Sequence, residues 1–450
     1  MYSAIAKKLI YPLGDLALGT SVMKYYHTLM KTQWWPVEKL QELQNEKLRR
    51  LINHAYNNVP YYRELFNNLV LQPGDVQTAE DLINLPILTK HDVIKNFENL
   101  KSSDFDKYKP IINSTGGSTG EPLKYYISKD VASINWAGMF RGWNWAGYKL
   151  GEKRIAFGGS SLVPFDKTSL FSRIRQALER NTPLSAVSLN EDKLASHVQY
   201  MNKAKASFIY GYPSSIYLLA DYCLGNNIQE LSFKAVFCTA EVLLPKYRQV
   251  IESVFNCKVF DQYGSYDGGA QALECEEHNG FHISAEKVIV ETVDDDGNPV
   301  EPGRTGRIIV TDLHNYAMPF IRYENGDIGS LSNEQCPCGR GLPLLESLEG
   351  RTADIIRLSN GTSITGPAVT LIFKGCNVKQ YQLVQTSHNQ LVVNIVKGEN
   401  YSEADECHFM RVLKHHAGDG VSVNVNYCDT IPVTRAGKYR FIINQCSNTG

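Results

Sequence analysis

Between residues 36 and 70 apolar side chains recur at helical spacing. Leu40, Leu43, Leu48, Leu51, Ile52 and Ala55 share a face with charges between them, which predicts an amphipathic helix. Pro60 stops it, and a turn and more helix follow. From about residue 110 to 330 the pattern becomes short β-rich runs, Arg154–Phe157, Phe208–Tyr210, Ala235–Cys238 and Lys258–Phe260. Helical stretches around 131–146, 191–205, 214–226 and 245–256 separate them. That alternation predicts an α/β unit with a largely parallel sheet. Lys287–Glu291 and Arg307–Thr311 then flank the turn pairs Asp296-Gly297 and Pro302-Gly303, predicting an antiparallel portion. After Gly350 the order strand, helix, strands, helix (403–417), strand and a basic loop at 434–440 predicts a small α+β domain. Gly350 and Gly361 bracket its hinge. The expected division is therefore 1–350, with a helical lead-in at 36–70, and 351–450.

Composition narrows the possibilities. In 450 residues, 46 Lys and Arg stand against 47 Asp and Glu, for a net charge of -1, so nothing supplies the basic excess of a nucleic-acid-binding protein. No apolar run reaches the ~20 residues of a spanning helix, and no signal-peptide pattern opens the chain, so the expected location is cytoplasmic. In residues 1–30, Ile5, Leu9, Ile10, Leu13, Leu16, Leu18 and Met23 mix with Lys7, Lys8 and Lys24. This segment reads either as an extension packed on the body or as a peripheral membrane contact. All ten cysteines follow residue 220, which speaks against a disulfide framework. Cys223, Cys238, Cys257, Cys376, Cys407, Cys428 and Cys446 stand singly, as small buried hydrophobes do.

Chemistry concentrates in a few segments. In Asn113-Ser-Thr-Gly-Gly-Ser-Thr-Gly-Glu-Pro122, Gly116, Gly117 and Gly120 permit close backbone approach, while Ser114, Thr115, Ser118 and Thr119 add hydroxyl donors. Alone this reads as a flexible linker; ahead of a long α/β region it reads as a phosphate-binding loop. Lys124 followed by Tyr125 excludes a Walker A loop. Asp261-Gln262-Tyr263-Gly264-Ser265-Tyr266-Asp267 closes an apolar run, at the strand end where α/β proteins seat ligands. Tyr263 offers a flat face for a purine and Asp267 a hard oxygen for Mg²⁺. Glu241 likewise follows a β-rich run, and each acid alone also fits a turn with a surface carboxylate. Asp327 comes directly after an Asn-Gly turn, placed to accept hydrogen bonds from a ribose diol. Thr434-Arg-Ala-Gly-Lys438 is a basic loop that alone reads as a solvated turn.

Cys275-x₆-His282 followed by Cys336-Pro-Cys338 supplies three sulfurs and an imidazole, enough for a closed tetrahedral zinc site, with His278 as the alternative fourth ligand. The gap of about 60 residues and the tight Cys-x-Cys depart from common finger spacings, so buried thiols beside a surface histidine remain the other reading.

In order and spacing these segments resemble the core motifs of the adenylate-forming superfamily of acyl-CoA synthetases, adenylation domains and luciferases. Asn57–Tyr62, Pro319–Tyr323 and Gly350-Arg351-Thr352 look like its phenylacetate-CoA ligase branch, including relatives found with surface-polysaccharide genes. The resemblance runs from about residue 36 to the end. It implies a large adenylating domain, with a zinc-bearing portion at 275–338, and a mobile C-terminal lid. Residues 114–120 would grip the ATP phosphates, with Glu241 and the Gln262–Ser265 stretch around Tyr263 bordering the adenine. Asp327 would hold the ribose, with Arg351 close by. Asp354 would be the hinge, and Lys438 would bridge the reacting carboxylate and the α-phosphate. The superfamily usually has threonine then glutamate where this chain has Tyr266 and Asp267, which leaves Mg²⁺ ligation by the shorter Asp267 in question. Some relatives carry structural zinc at the Cys/His position. Tyr210-Gly211-Tyr212-Pro213 and Tyr217 would line the acyl pocket, because aromatics with few charges suit an apolar acyl group.

The implied activity is ATP-dependent, AMP-forming ligation of an aryl or medium-sized carboxylic acid to coenzyme A. The alternatives are an amide or ester ligase acting on an amino acid or sugar amine, and a silent nucleotide-binding protein. A monomer or homodimer is expected.

Overall fold

The β-rich runs that alternate with helical stretches pair as the sequence order suggests. In the computed structural model, residues 2–114, 123–158, 162–163, 170–186, 189, 191–351, 356–359, 363–364, 369, 372–373, 375–418, 420–433 and 439–446 are described. A hairpin of β1 (Ile111–Ser114) and β2 (Lys124–Ile127) precedes the main sheet. Five parallel strands follow, namely β3 (Arg154–Gly158), β4 (Asn181–Ser185), β5 (Phe208–Gly211), β6 (Ala235–Thr239) and β7 (Lys258–Gly264). Helices Glu191–Ala204, Pro213–Gly225 and Pro245–Phe255 make the crossovers that parallel neighbours require.

The antiparallel portion comprises β8 (Gln271–Leu273), β9 (Phe281–Ile283), β10 (Val288–Val293), β11 (Gly306–Asp312), β12 (Tyr323–Ser332) and β13 (Leu344–Arg351). It joins the same sheet, giving eleven strands in the order β10-β11-β12-β13-β9-β8-β7-β6-β5-β3-β4. β7 is thus parallel to β6 on one side and antiparallel to β8 on the other. The sequence separates these two patterns; the continuous sheet rests on pairings such as β9 with β13, more than 60 residues apart.

Aromatic packing fastens helix Lys129–Trp145 to the parallel strands, with Trp143 stacked on Phe237 at 5.2 Å between centroids. The lead-in forms helices Val37–Asn58 and Pro60–Asn68, with Pro60 at the first position of the second helix, where its missing N–H is harmless. This second helix is fixed to the antiparallel half by Tyr62, whose hydroxyl donates to the Pro319 carbonyl at 3.0 Å.

A smaller C-terminal sheet has the order β16-β15-β14-β17, from β14 (Val378–Ser387), β15 (Gln390–Lys397), β16 (Ser422–Tyr427) and β17 (Ile442–Asn444), with helix Glu403–Ala417. Its apolar face, including Leu383, Val393, Phe409 and Leu413, continues the core built on helices Pro213–Gly225 and Pro245–Phe255. Lys246 reaches across and donates to the Val378 carbonyl at 2.8 Å.

Candidate active site

The carboxyl ends of β5, β6 and β7 lie side by side, so Gly211, Thr239 and Gln262 open onto one edge of the sheet. A Cβ on Gly211 would sit 2.0 Å from the Phe157 carbonyl oxygen, so only glycine lets β5 approach β3 there. Beyond β7 the chain turns through Gly268 and Gly269, at φ of +75° and +77°. The turn carries Asp267, which is hydrogen-bonded to the Ser265 hydroxyl and lies 3.3 Å from the Tyr323 hydroxyl.

Tyr263 points along this edge to β12. Its hydroxyl donates to Asp327 Oδ2 at 2.9 Å and accepts from Asn325 Nδ2 at 2.6 Å, while Asn325 Oδ1 accepts from the Asp327 N–H at 3.0 Å. Burial, then the neighbouring Asp327 charge, pushes the Tyr263 phenol far above its usual range, so it stays a donor. Asn325-Gly326, read from the sequence as a turn, is part of a continuous strand. It lies within β12 at a shift of register against β11, where Gly326 takes φ of +81°. The irregularity re-aims Asp327 toward Tyr263. Arg351 is the backbone partner of Asp327 across β13.

A second cluster lies at the end of β6. Ala240 holds φ of +69°, an unusual setting for a residue with a Cβ. This turn presents Glu241, whose Oε2 accepts from the Ser214 N–H at 3.1 Å and whose Oε1 accepts from the Tyr439 N–H at 2.7 Å. Tyr439 also bonds main-chain atoms of Tyr381, so the residue after Lys438 is tied both to the small sheet and to this edge.

Beneath β7, Arg248 grips Glu274 at 2.8 and 2.9 Å, and the Asp261 N–H donates to the same carboxylate. Burial and the nearby Glu274 push the Asp261 carboxyl up to about 7. The Gln262 Oε1 beside it is buried and has no hydrogen-bond partner among the described residues.

Of the proposed acyl-pocket residues, Tyr210 meets an aromatic wall, 5.1 Å from Trp143 between centroids. Tyr212 is buried, and Tyr217 stacks on Tyr247 at 4.3 Å within the core shared with the small sheet. The structure thus separates Tyr217 from the Tyr210 cluster.

Several predicted residues lie outside the described ones: Thr115 to Gly120, Asp354 and Lys438. The base of the Ser/Thr loop is described, with Ser114 paired to Lys124. Tyr125 in that hairpin packs in one core with Tyr263, Phe320 and Tyr323, which sets the strands β1 and β2 beside the β7 edge.

The Cys/His residues converge elsewhere. β9 places His282 opposite Leu273 of β8 and Leu344 of β13, which brings together segments from either side of the long gap. The ligand atoms of Cys275, His282, Cys336 and Cys338 all lie within 4.8 Å of one another. Cys275 and Cys336 sulfurs are 3.6 Å apart, near the ~3.8 Å that a tetrahedron of 2.3 Å Zn–S bonds requires. His278 is turned away, 3.3 Å from Glu274, so His282 completes the set. Burial, then Arg340, lowers His282 to about 4, keeping the imidazole neutral as ligation demands.

Sequence reasoning missed Asn325, Ser214, Tyr439, the Ala240 turn and the Asp261–Glu274–Arg248 group. Asn-Gly was the one local signal among them.

A sequence model of the CapK C-terminal domain matches residues 356–445. The chain is 29% identical over 455 residues to Protein CapK of Staphylococcus aureus, covering 96% of this chain and 95% of that one. It is 27% identical over 339 residues to the phenylacetate-coenzyme A ligase of Thermus thermophilus, covering 71% and 72%. Solved structures of 2-hydroxyisobutyryl-CoA ligase share the fold. The postadenylation state superposes with a TM-score of 0.75 at 18% identity, over 91% of each chain. The thioesterification state scores 0.58 at 18% identity, over 91% of this chain and 90% of that one. The fold and these relatives agree: CapK and the phenylacetate-CoA ligases are homologues of this chain, and its fold is that of acyl-CoA ligases of the adenylate-forming superfamily.

Proposed function

We propose that this chain is an ATP-dependent, AMP-forming ligase that activates a carboxylic acid as its adenylate and passes the acyl group to coenzyme A. The observation that carries this reading is the Tyr263–Asn325–Asp327 cluster at the edge that also holds Glu241 and Tyr439. Asp327 would accept from a ribose diol, Tyr263 would present its ring to adenine, and the unpartnered Gln262 Oε1 would accept an exocyclic amine. The Ser/Thr loop, beginning at Ser114, would hold the phosphates.

Adenylation forces a carboxylate against an α-phosphate, and two unit charges 4 Å apart repel by roughly 4 kcal/mol at an effective dielectric of 20. Lys438, next to the docked Tyr439, would neutralise that repulsion as charge builds on the leaving pyrophosphate. Mg²⁺ would supply further charge neutralisation, with Asp267 as its oxygen donor on the protein. No protein nucleophile is required. The better superposition on the postadenylation state supports assigning this arrangement to the adenylate-making side of the cycle, with Asp354 as the hinge toward the second half-reaction. Tyr210 and its aromatic neighbours favour an aryl or medium-sized acid. Zinc at Cys275, His282, Cys336 and Cys338 would be structural, since four protein ligands leave no open position.

One observation favours a second acceptor. The match to CapK covers 96% of this chain, and residues 356–445 match the CapK C-terminal domain. That domain would face the acceptor, so an amine in place of the thiol is the competing reading. The test supplies ATP, an acid panel and either coenzyme A or amines, with products identified by mass spectrometry. Acyl-CoA supports the first reading; an acyl-amine formed without coenzyme A, and no acyl-CoA in its presence, overturns it.

A further inference from the structure

Away from the active site, residues Tyr2 to Leu18 form one helical run, Tyr2–Ile5, Ala6–Ile10 and Tyr11–Leu18, whose middle segment has π geometry. Its inner face is spent on the body: Ala6 and Tyr11 are buried, and Tyr11 meets Phe140 edge-on at 5.5 Å. Its outer face carries Ile5, Leu9, Leu13 and Leu16, and Leu16 is 81% exposed. These positions recur at four, four and three residues, so they form a stripe along one side of the helix.

A second helix, Leu170–Glu179, extends that stripe. It shows Leu170, Ile174 and Leu178 to solvent, with Leu170 72% exposed. The two elements touch. The Tyr2 hydroxyl donates to the Leu178 carbonyl at 2.7 Å, and the Arg180 guanidinium lies 3.5 Å from the Tyr2 ring centroid. Such clustering of exposed aliphatic side chains marks an interaction surface.

Charge indicates the partner. The two helices and their flanks carry Lys7, Lys8, Arg173, Arg175 and Arg180 against only Asp15 and Glu179. Both acids are engaged internally: Asp15 accepts from Thr20 and from the N–H groups of Val22 and Met23, and Glu179 pairs with Arg154 and Arg175. The local surface is therefore cationic on a chain whose net charge is -1. Among the described side chains its exposed apolar members are all aliphatic, while Tyr2 and Tyr11 pack against the body. Protein interfaces favour aromatic anchors; an apolar stripe beside lysine and arginine is what an anionic lipid surface receives.

We propose that the outer face of the Tyr2–Leu18 run, together with helix Leu170–Glu179, docks this protein peripherally on an anionic lipid bilayer. Among the described residues no helix is long and apolar enough to cross a membrane, and the aliphatic side chains would enter only the headgroup boundary. The docking does not depend on which acid or acceptor is used.

The test is co-sedimentation of the full chain with vesicles of phosphatidylcholine alone or with about one-third phosphatidylglycerol. Wild type is expected to bind the anionic vesicles and to be released by salt. Leu13→Glu with Leu16→Glu should lower partitioning by ~tenfold or more while leaving ATP–pyrophosphate exchange intact. Leu170→Glu with Ile174→Glu, on the other helix, should do the same, so a folding defect in one pair does not decide the result. Wild type remaining in the supernatant with both vesicle types would overturn the proposal. So would binding indifferent to both pairs, or a dimer seen by light scattering that the substitutions split without any vesicle binding.

Discussion

The strand-end cluster and the Cys/His cluster are built from similar distances in sequence but to opposite ends. In the first, Tyr263 and Asp327 meet across 64 residues by hydrogen bonding, and polar atoms such as Gln262 Oε1 are left without partners among the described residues. In the second, Cys275 and Cys336 meet across 61 residues, and four ligand atoms, three sulfurs and an imidazole nitrogen, lie within 4.8 Å of one another. Hard oxygens beside an aromatic ring, open in the sense that an acceptor is left unpaired, suit binding and release of a nucleotide; a closed set of soft donors suits a cross-link. The contrast predicts that damage to one should appear in kinetics and damage to the other in stability.

The largest effect expected on the open side is from Lys438→Ala. Adenylate formation should fall by ~10²–10³-fold or more, with ATP binding changed only a few-fold, because in the proposed mechanism the lysine acts on charge that develops in the transition state. Transfer from preformed acyl-adenylate should survive, and pre-steady-state measurement of each half-reaction checks this. Loss of both halves would point to a folding defect instead.

On the closed side, Cys336→Ser with Cys338→Ser should remove about one bound zinc per chain and lower stability by several kcal/mol, leaving the Michaelis constant for ATP nearly unchanged. Metal analysis and a thermal melt report both quantities. A wild-type protein without zinc would break the comparison at its simplest point.

Asp327→Ala should raise the Michaelis constant for ATP by ~tenfold, as expected for loss of hydrogen bonds between a charged group and the ribose. Its melting temperature should move far less than that of the cysteine variant. An unchanged ATP dependence would refute the ribose role, and Tyr263→Phe should shift the same constant in the same direction by less.

The smallest effect concerns Asp261, which lies under the open site yet has a buried, structural setting. Its carboxyl is raised to about 7, so between pH 4 and 7 the folded state holds a proton that the unfolded chain has released. Stability therefore falls as pH rises through this window. Asp261→Asn should remove that slope, so its stability relative to wild type should rise from pH 4 to pH 8. Denaturant melts at the two values test it, and parallel stability curves would contradict it.

How much of this was readable in the chain follows the same divide. Periodicity located three crossover helices and four of the five parallel strands, because each pattern is local, and passed over β4 and helix Leu170–Glu179. It did not reveal that β7 joins two halves into one sheet, since that depends on β8, β9 and β13 pairing over long separations. The Cys/His set, with His282 ahead of His278, was legible by residue type; what the sequence could not show is the β9–β13 register that brings its two halves together. Asp327 was found through motif order, while its partner Asn325 was hidden in what reads as a plain turn. Ala240 gave no signal at all, because nothing in alanine announces a left-handed backbone.

The most direct test of the central claim is acid-dependent exchange of labelled pyrophosphate into ATP, run across a library of aryl and medium-sized carboxylic acids. The account predicts exchange with at least one acid in the wild-type protein and its disappearance in Lys438→Ala. A protein that binds ATP but supports no exchange with any acid would contradict it, and would mark the chain as a nucleotide-binding relative that has lost the reaction.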